Sequence, residues 1–214
     1  MNFNDLLQDK KIDPHHVLVL RHRPPEREFR KKLPWLAVKR PDLFNAYQQT
    51  QTERLERAMQ AMVGDGYIAS FIGQEPGKAT FIGLYSIGEA KSLSYNKYWK
   101  VPANIELKSF GMKGFTREKR SSVLWFDLEL MTDFYASWKG KLIVSWPPPE
   151  LSWWRRAHRN EIPIHAILED NVLDAAMPRW DKIDLTWDDL CILPKNLESA
   201  LSYWRGIYYR VYSQ

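Results

Sequence analysis

The spacing of apolar positions changes three times along the chain, and each change marks a segment. Asn4 to Lys10 fits one short helix, and His15 to Leu20 is an apolar run that reads as a strand. Arg21 to Arg27 carries two prolines and reads as an extended basic loop. Phe29 to Val38 and Pro41 to Gln49 have helical spacing. Pro41 suits a first helical position, and Phe44 and Tyr47 share a face. Thr50 and Glu53 have the spacing of a capping box. Leu55, Met59 and Met62 follow at i, i+4 and i+7, with Gly64 as the stop. From Tyr67 the period shortens. Tyr67–Ile72 and Ala79–Ile87 predict a hairpin, in which Gly73 and Gly83 mark bulges or a close backbone approach. Leu93–Val101 predicts a loop with a short helix, and Phe110–Arg120 a basic, glycine-containing mobile loop. Val123–Leu130, Leu142–Trp146 and Ile162–Leu168 predict further strands. The period then lengthens again. Asn171–Met177 and Asn196–Trp204 predict helices, Thr186 and Asp189 form a second box-like start, and Arg205–Tyr212 returns to strand chemistry.

These elements predict an α+β protein. N-terminal helices would accompany a curved antiparallel sheet or small β-barrel, of the PUA-like kind, followed by C-terminal helices and a terminal strand. The expected organisation is a helical, basic segment over 1–66 and a barrel-like domain over 67–170. An acidic helical segment over 171–204 and a last strand over 205–214 follow. The 214 residues allow a substantial core, and ten tryptophans exceed what that core requires, leaving rings for a binding surface. Cys191 is the single cysteine, which excludes an internal disulfide and a thiolate metal cluster, and it reads as core. The N-terminus lacks a basic stretch followed by an apolar run, and no apolar run nears the ~20 residues that span a bilayer. A cytoplasmic protein is expected.

Charge adds a direction. The net charge is +5, but it is unevenly spread. Residues 21–40 hold eight Lys/Arg against two Glu, and residues 161–190 hold eight Asp/Glu against two Lys/Arg. The basic side suits a polyanion. The acidic stretch 169–189 is a candidate docking surface for a partner protein. The densest chemistry is Trp146-Pro-Pro-Pro-Glu-Leu-Ser-Trp-Trp-Arg-Arg-Ala-His-Arg-Asn160. Three prolines end sheet pairing after Trp146, and Ser152 can cap a helix. On that helix Trp153 and Ala157, Trp154 and His158, and Arg155 and Arg159 would pair one turn apart, with indoles inward and guanidiniums outward onto a ligand. His158 and His165 straddle a turn and could approach each other. His15 and His16, adjacent on a strand, would point to opposite faces and make no metal site. No phosphate-cradling glycine loop, nucleophile elbow or paired acid–base carboxylates are present, so neither cofactor nor metal is expected.

Four segments carry a family likeness: Asn45-Ala-Tyr-Gln-Gln-Thr-Gln51, Tyr67-Ile-Ala-Ser-Phe-Ile-Gly-Gln-Glu-Pro-Gly-Lys78, Trp146 to Asn160, and Leu201-Ser-Tyr-Trp-Arg-Gly-Ile-Tyr-Tyr209. Together they resemble the N-terminal region of bacterial GIY-YIG nuclease proteins, with Trp146–Asn160 the most specific. In that family the last segment opens the nuclease domain, and Gly206-Ile207-Tyr208 matches the first half of its signature. The second Tyr-Ile-Gly strand, the helical Arg and the metal-binding Glu are missing before Gln214. The resemblance therefore implies an accessory part in which Tyr208 is an incomplete remnant of the active site.

The function expected from these readings is a DNA-binding module of a restriction or defence nuclease. Arg155, Arg156, His158 and Arg159 would contact phosphate, and Trp153 or Trp154 would stack on a base. Lys113, Arg117, Lys119 and Arg120 would form a second contact loop, and Arg21 and Arg23 a third. Rings at a barrel rim could also read a flipped or modified base. The alternative is a protein-interaction or structural module that ignores nucleic acid.

Overall fold

A computed structural model describes residues 1–23, 27–49, 52–74, 77–114, 120–146, 154–159, 161–171 and 173. All lie within one compact unit, Met1–Ala175. Among them are helices α1 (Phe3–Asp9), α2 (Arg27–Lys39), α3 (Pro41–Gln48), α4 (Glu53–Gln60), α5 (Tyr95–Tyr98), α6 (Pro102–Ser109) and α7 (Thr132–Trp138). The strands are β1 (Val17–His22), β2 (Tyr67–Gln74), β3 (Lys78–Ser94), β4 (Ser122–Leu130), β5 (Leu142–Ser145), β6 (Trp154–Arg156) and β7 (Ile164–Ile167). The strands form one sheet in the order β6-β1-β2-β3-β5-β7, with β4 also paired to β3, and it curls into an open half-barrel. The α+β class with a curved sheet holds.

β1 is buried on both faces, which explains its unbroken apolar run. It pairs parallel to β2 and antiparallel to β6. Leu18 and Leu20 belong to a core shared with α2, α3 and α4 (Phe29, Leu33, Phe44, Leu55, Met59). Val17 and Val19 belong to a second core with Phe71, Phe81, Trp146 and α1 (Phe3, Leu6, Leu7). The curl comes from β3. Its start pairs with β5 and its far half with β4, and bulges interrupt the register at Ser70/Phe71 and Ile87/Ala90. The first bulge adjoins Gly83, where an irregularity is expected.

Side-chain amides lock α3 onto β4. Gln49 Nε2 donates to Phe126 O at 2.8 Å, and Phe126 N–H donates to Gln49 Oε1 at 2.9 Å. Asn45 Nδ2 donates to Leu128 O at 3.0 Å. The amide-rich segment 45–49 thus satisfies backbone groups that β3 leaves unpaired.

Several local expectations are corrected. α4 is capped by Thr52, whose hydroxyl accepts from Leu55 N–H, and Thr50 lies outside the described residues. Thr52 adjoins the first turn, so its hydroxyl reaches a free N–H. Pro14–His16 is a 3₁₀ turn, not strand, with Asp13 accepting from His15 N–H at 2.9 Å. Arg21 and His22 are strand rather than loop, because β2 continues to pair beside them. The short α6 and α7 lack clear apolar spacing and were not expected. No helix among the described residues is long and apolar enough to cross a membrane.

Candidate functional site

The segment 154–159 is not the helix its spacing suggests. Trp154–Arg156 is strand β6, and Ala157–Arg159 is a 3₁₀ turn. The open edge of β1 decides this, since pairing there satisfies backbone groups that an isolated turn of helix would leave unpaired. Leu18 faces Arg156, Val19 faces Arg155 and Leu20 faces Trp154. With a period of two, Arg155 shares a face with Val19, while Trp154 and Arg156 share the opposite face. The expected pairing of Trp154 with His158 and of Arg155 with Arg159 therefore does not form.

Arg155 points inward, against expectation. It is 7% exposed, and its guanidinium carbon lies 4.5 Å from the centre of the Trp146 ring. Arg21, two residues beyond Val19 on the same face, is 8% exposed. Gly73 makes room for it, because a Cβ there would sit 2.6 Å from Arg21 Nε. The close approach expected at Gly73 is thus to a guanidinium. Nε and Nη2 of both arginines, and Nε1 of Trp146, are buried and have no hydrogen-bond partner among the described residues. Burial lowers Arg155 to about 10, and it lowers Arg21 as well, with Arg23 adding repulsion.

Beside this buried pair lies the 3₁₀ turn that carries His158 and Arg159. His158 stacks on His15 with ring centres 4.2 Å apart and planes 12° apart, not on His165, which is exposed on β7. The turn is held by Asn4, whose Nδ2 donates to Ala157 O at 3.1 Å. Desolvation, then His15, Arg159 and Arg156, push the His158 pKa down; Asp13 opposes them. Arg159 is exposed. His16 instead meets Asp65, with 3.0 Å between Nδ1 and Oδ2.

Compared with protein-family models, curated proteins and solved structures, the chain matches none.

The other expected contacts are dispersed. Trp154 is half-buried against the helical core, with the Arg54 guanidinium carbon 5.5 Å from its ring centre. Arg120 is engaged by Glu56, with Nη1 donating to Oε1 at 2.9 Å and Nη2 donating to Oε2. Lys113 and Arg23 are exposed. Trp153, Arg117, Lys119, Cys191 and Tyr208 lie outside the described residues, as does almost all of the acidic stretch. No cluster of three potential metal ligands occurs among the described residues. Sequence reasoning missed Arg54 as the companion of Trp154 and Trp146 as the cover of Arg155. The inward turn of Arg21 had a signal: it continues the alternation of Val17 and Val19.

Proposed function

We propose that this chain is a DNA-binding accessory module that positions a GIY-YIG-type nuclease, in the manner of a bacterial restriction or defence protein. One observation carries the DNA reading. Arg155, Arg156, His158 and Arg159 fall within five residues of edge strand β6 and its turn, beside β1 with Arg21 and the turn that holds His15. The arginines gathered at this sheet edge repel one another, and a phosphate backbone relieves that repulsion. The groups on the outside of the cluster, Arg156, His158 and Arg159, are the phosphate contacts. The half-buried Trp154 ring with Arg54 is the stacking element. The nuclease association rests on the likeness of the four quoted segments, and reading of a modified base is part of the same proposal.

The test is fluorescence anisotropy with labelled duplex DNA, plain and carrying modified cytosine, over a salt series. The expected result is binding at about 50 mM salt that weakens steeply toward about 200 mM, because counterions are released. Absence of binding to every form at the lowest salt overturns the proposal.

A further inference from the structure

Three side chains on the Val19 side of the sheet supply five buried N–H donors and no acceptor. These are Nε and Nη2 of Arg21, the same pair on Arg155, and Nε1 of Trp146. The three belong to one neighbourhood. Arg21 is the register partner of Phe71, the Phe71 ring lies 5.8 Å from the Trp146 ring, and the Trp146 ring covers Arg155 at 4.5 Å. Arg155 sits opposite Val19, which makes it the diagonal neighbour of Arg21 across β6 and β1, a separation of about 7–8 Å between Cα atoms. Neither guanidinium has a carboxylate partner among the described residues.

Such an arrangement is unfavourable when empty. An unpaired buried cation is costly, and a second one beside it adds repulsion. A protein that needed only stability would place apolar side chains here. A Cβ at Gly73 would meet the Arg21 head, so the glycine leaves that space to the guanidinium. The Nε and Nη2 groups of a guanidinium are parallel donors that match two oxygens of one oxyanion. Two such forks and an indole N–H exceed what one carboxylate accepts. Charge narrows the ligand further. A carboxylate or a phosphodiester carries one negative charge and leaves the site cationic, whereas a phosphomonoester carries about −1.5 to −2 near neutral pH.

We propose that Arg21, Arg155 and Trp146 form a buried receptor for a phosphomonoester group, borne by free phosphate, a mononucleotide or a phosphorylated nucleic-acid end. The site is separate from the surface patch of Arg156, His158 and Arg159, and it stands whether or not that patch binds DNA.

The experiment titrates the full chain with inorganic phosphate, adenosine monophosphate, and a short oligonucleotide bearing either a 5′-phosphate or a 5′-hydroxyl. Calorimetry and thermal unfolding are followed at constant ionic strength, with chloride as the balancing anion. Phosphate should give a saturable heat and a rise in Tm. Arg21→Met and Arg155→Met should each weaken phosphate binding at least about tenfold, and each should raise the Tm in phosphate-free buffer by removing an unpaired charge. Preference for the 5′-phosphorylated over the 5′-hydroxyl oligonucleotide identifies a nucleic-acid end as the source. Binding of phosphate or mononucleotide alone identifies a small molecule, and either supports the site. No saturable response to any phosphate, or a response undiminished in soluble, folded Met variants, overturns it. If a Met variant does not fold, the wild-type titration read by phosphorus NMR decides. Loss of duplex binding alone leaves this site standing and removes only the surface proposal.

Discussion

His22 ends β1 with its imidazole packed edge-on against Phe44 at 5.2 Å and near Tyr47 at 5.4 Å, and its Nε2 has no partner among the described residues. Burial pushes its pKa down to about 3. The unfolded chain, with a histidine pKa near 6.5, binds the proton that the folded chain excludes. Stability is therefore complete above about pH 6.5 and falls as the pH drops from there toward 3. Between pH 7 and pH 5 this one group removes about 2 kcal/mol. His22→Leu should shrink the pH 7-to-5 loss by roughly that amount in urea unfolding, and an unchanged pH dependence would refute the assignment. Gly73 offers a second test at this scale. Gly73→Ala should cost about 1–3 kcal/mol by driving a Cβ into the Arg21 head. In an Arg21→Ala background most of that cost should vanish, giving a coupling of about 1 kcal/mol or more in a double-mutant cycle. Simple additivity would mean that the two residues do not share the space.

Among the elements, β6 shows why periodicity alone misplaces a short segment. Trp154, Arg155, Arg156 and Ala157 have helical spacing and no alternation of apolar with polar residues, so nothing local favours a strand. The deciding partner, β1, lies over 130 residues earlier in the chain, and its edge is visible only once β2 occupies the other side. Helix α4 and strand β2 lie at the other extreme. Leu55, Met59 and Met62 are all buried as their spacing predicts, because local pattern and tertiary contact agree. The α3–β4 lock is intermediate. The amides are plain in the sequence, but their role depends on an edge that only the sheet defines. Gln49→Leu leaves both the N–H and the C=O of Phe126 buried without the partner it supplied. The expected loss is about 2–4 kcal/mol in chemical denaturation, since each stranded group costs about 1–3 kcal/mol. A loss below about 1 kcal/mol would mean that water or another group takes over.

For the whole molecule, the sequence carried the curled sheet because β-rich runs, glycines and turn signals recur between residues 67 and 168. It did not carry the location of charge. Arg21, Arg155 and Arg120 look alike as basic residues, yet the fold buries two on the Val19 side of the sheet and pairs the third with Glu56 on α4. Composition gives net charge, whereas topology decides which cations face solvent. A double dissociation follows. Arg159 is exposed at the end of the 3₁₀ turn, so Arg159→Ala should leave stability within about 0.5 kcal/mol of wild type. If it contacts phosphate, the same change should weaken duplex DNA binding and reduce the salt slope by about 1. Arg120 is the reverse case. Its side chain is 15% exposed and the Glu56 side chain 5% exposed, so Arg120→Ala strands a buried carboxylate. A cost of about 3 kcal/mol is expected, near the low end for breaking a buried pair, with the salt slope of DNA binding unchanged in the folded fraction. Paired unfolding and anisotropy measurements on the two variants separate these outcomes. Equal effects on both readouts in both variants would mean that the cations act through general charge, and the distinction between a contact surface at β6 and a structural ion pair at α4 would fall.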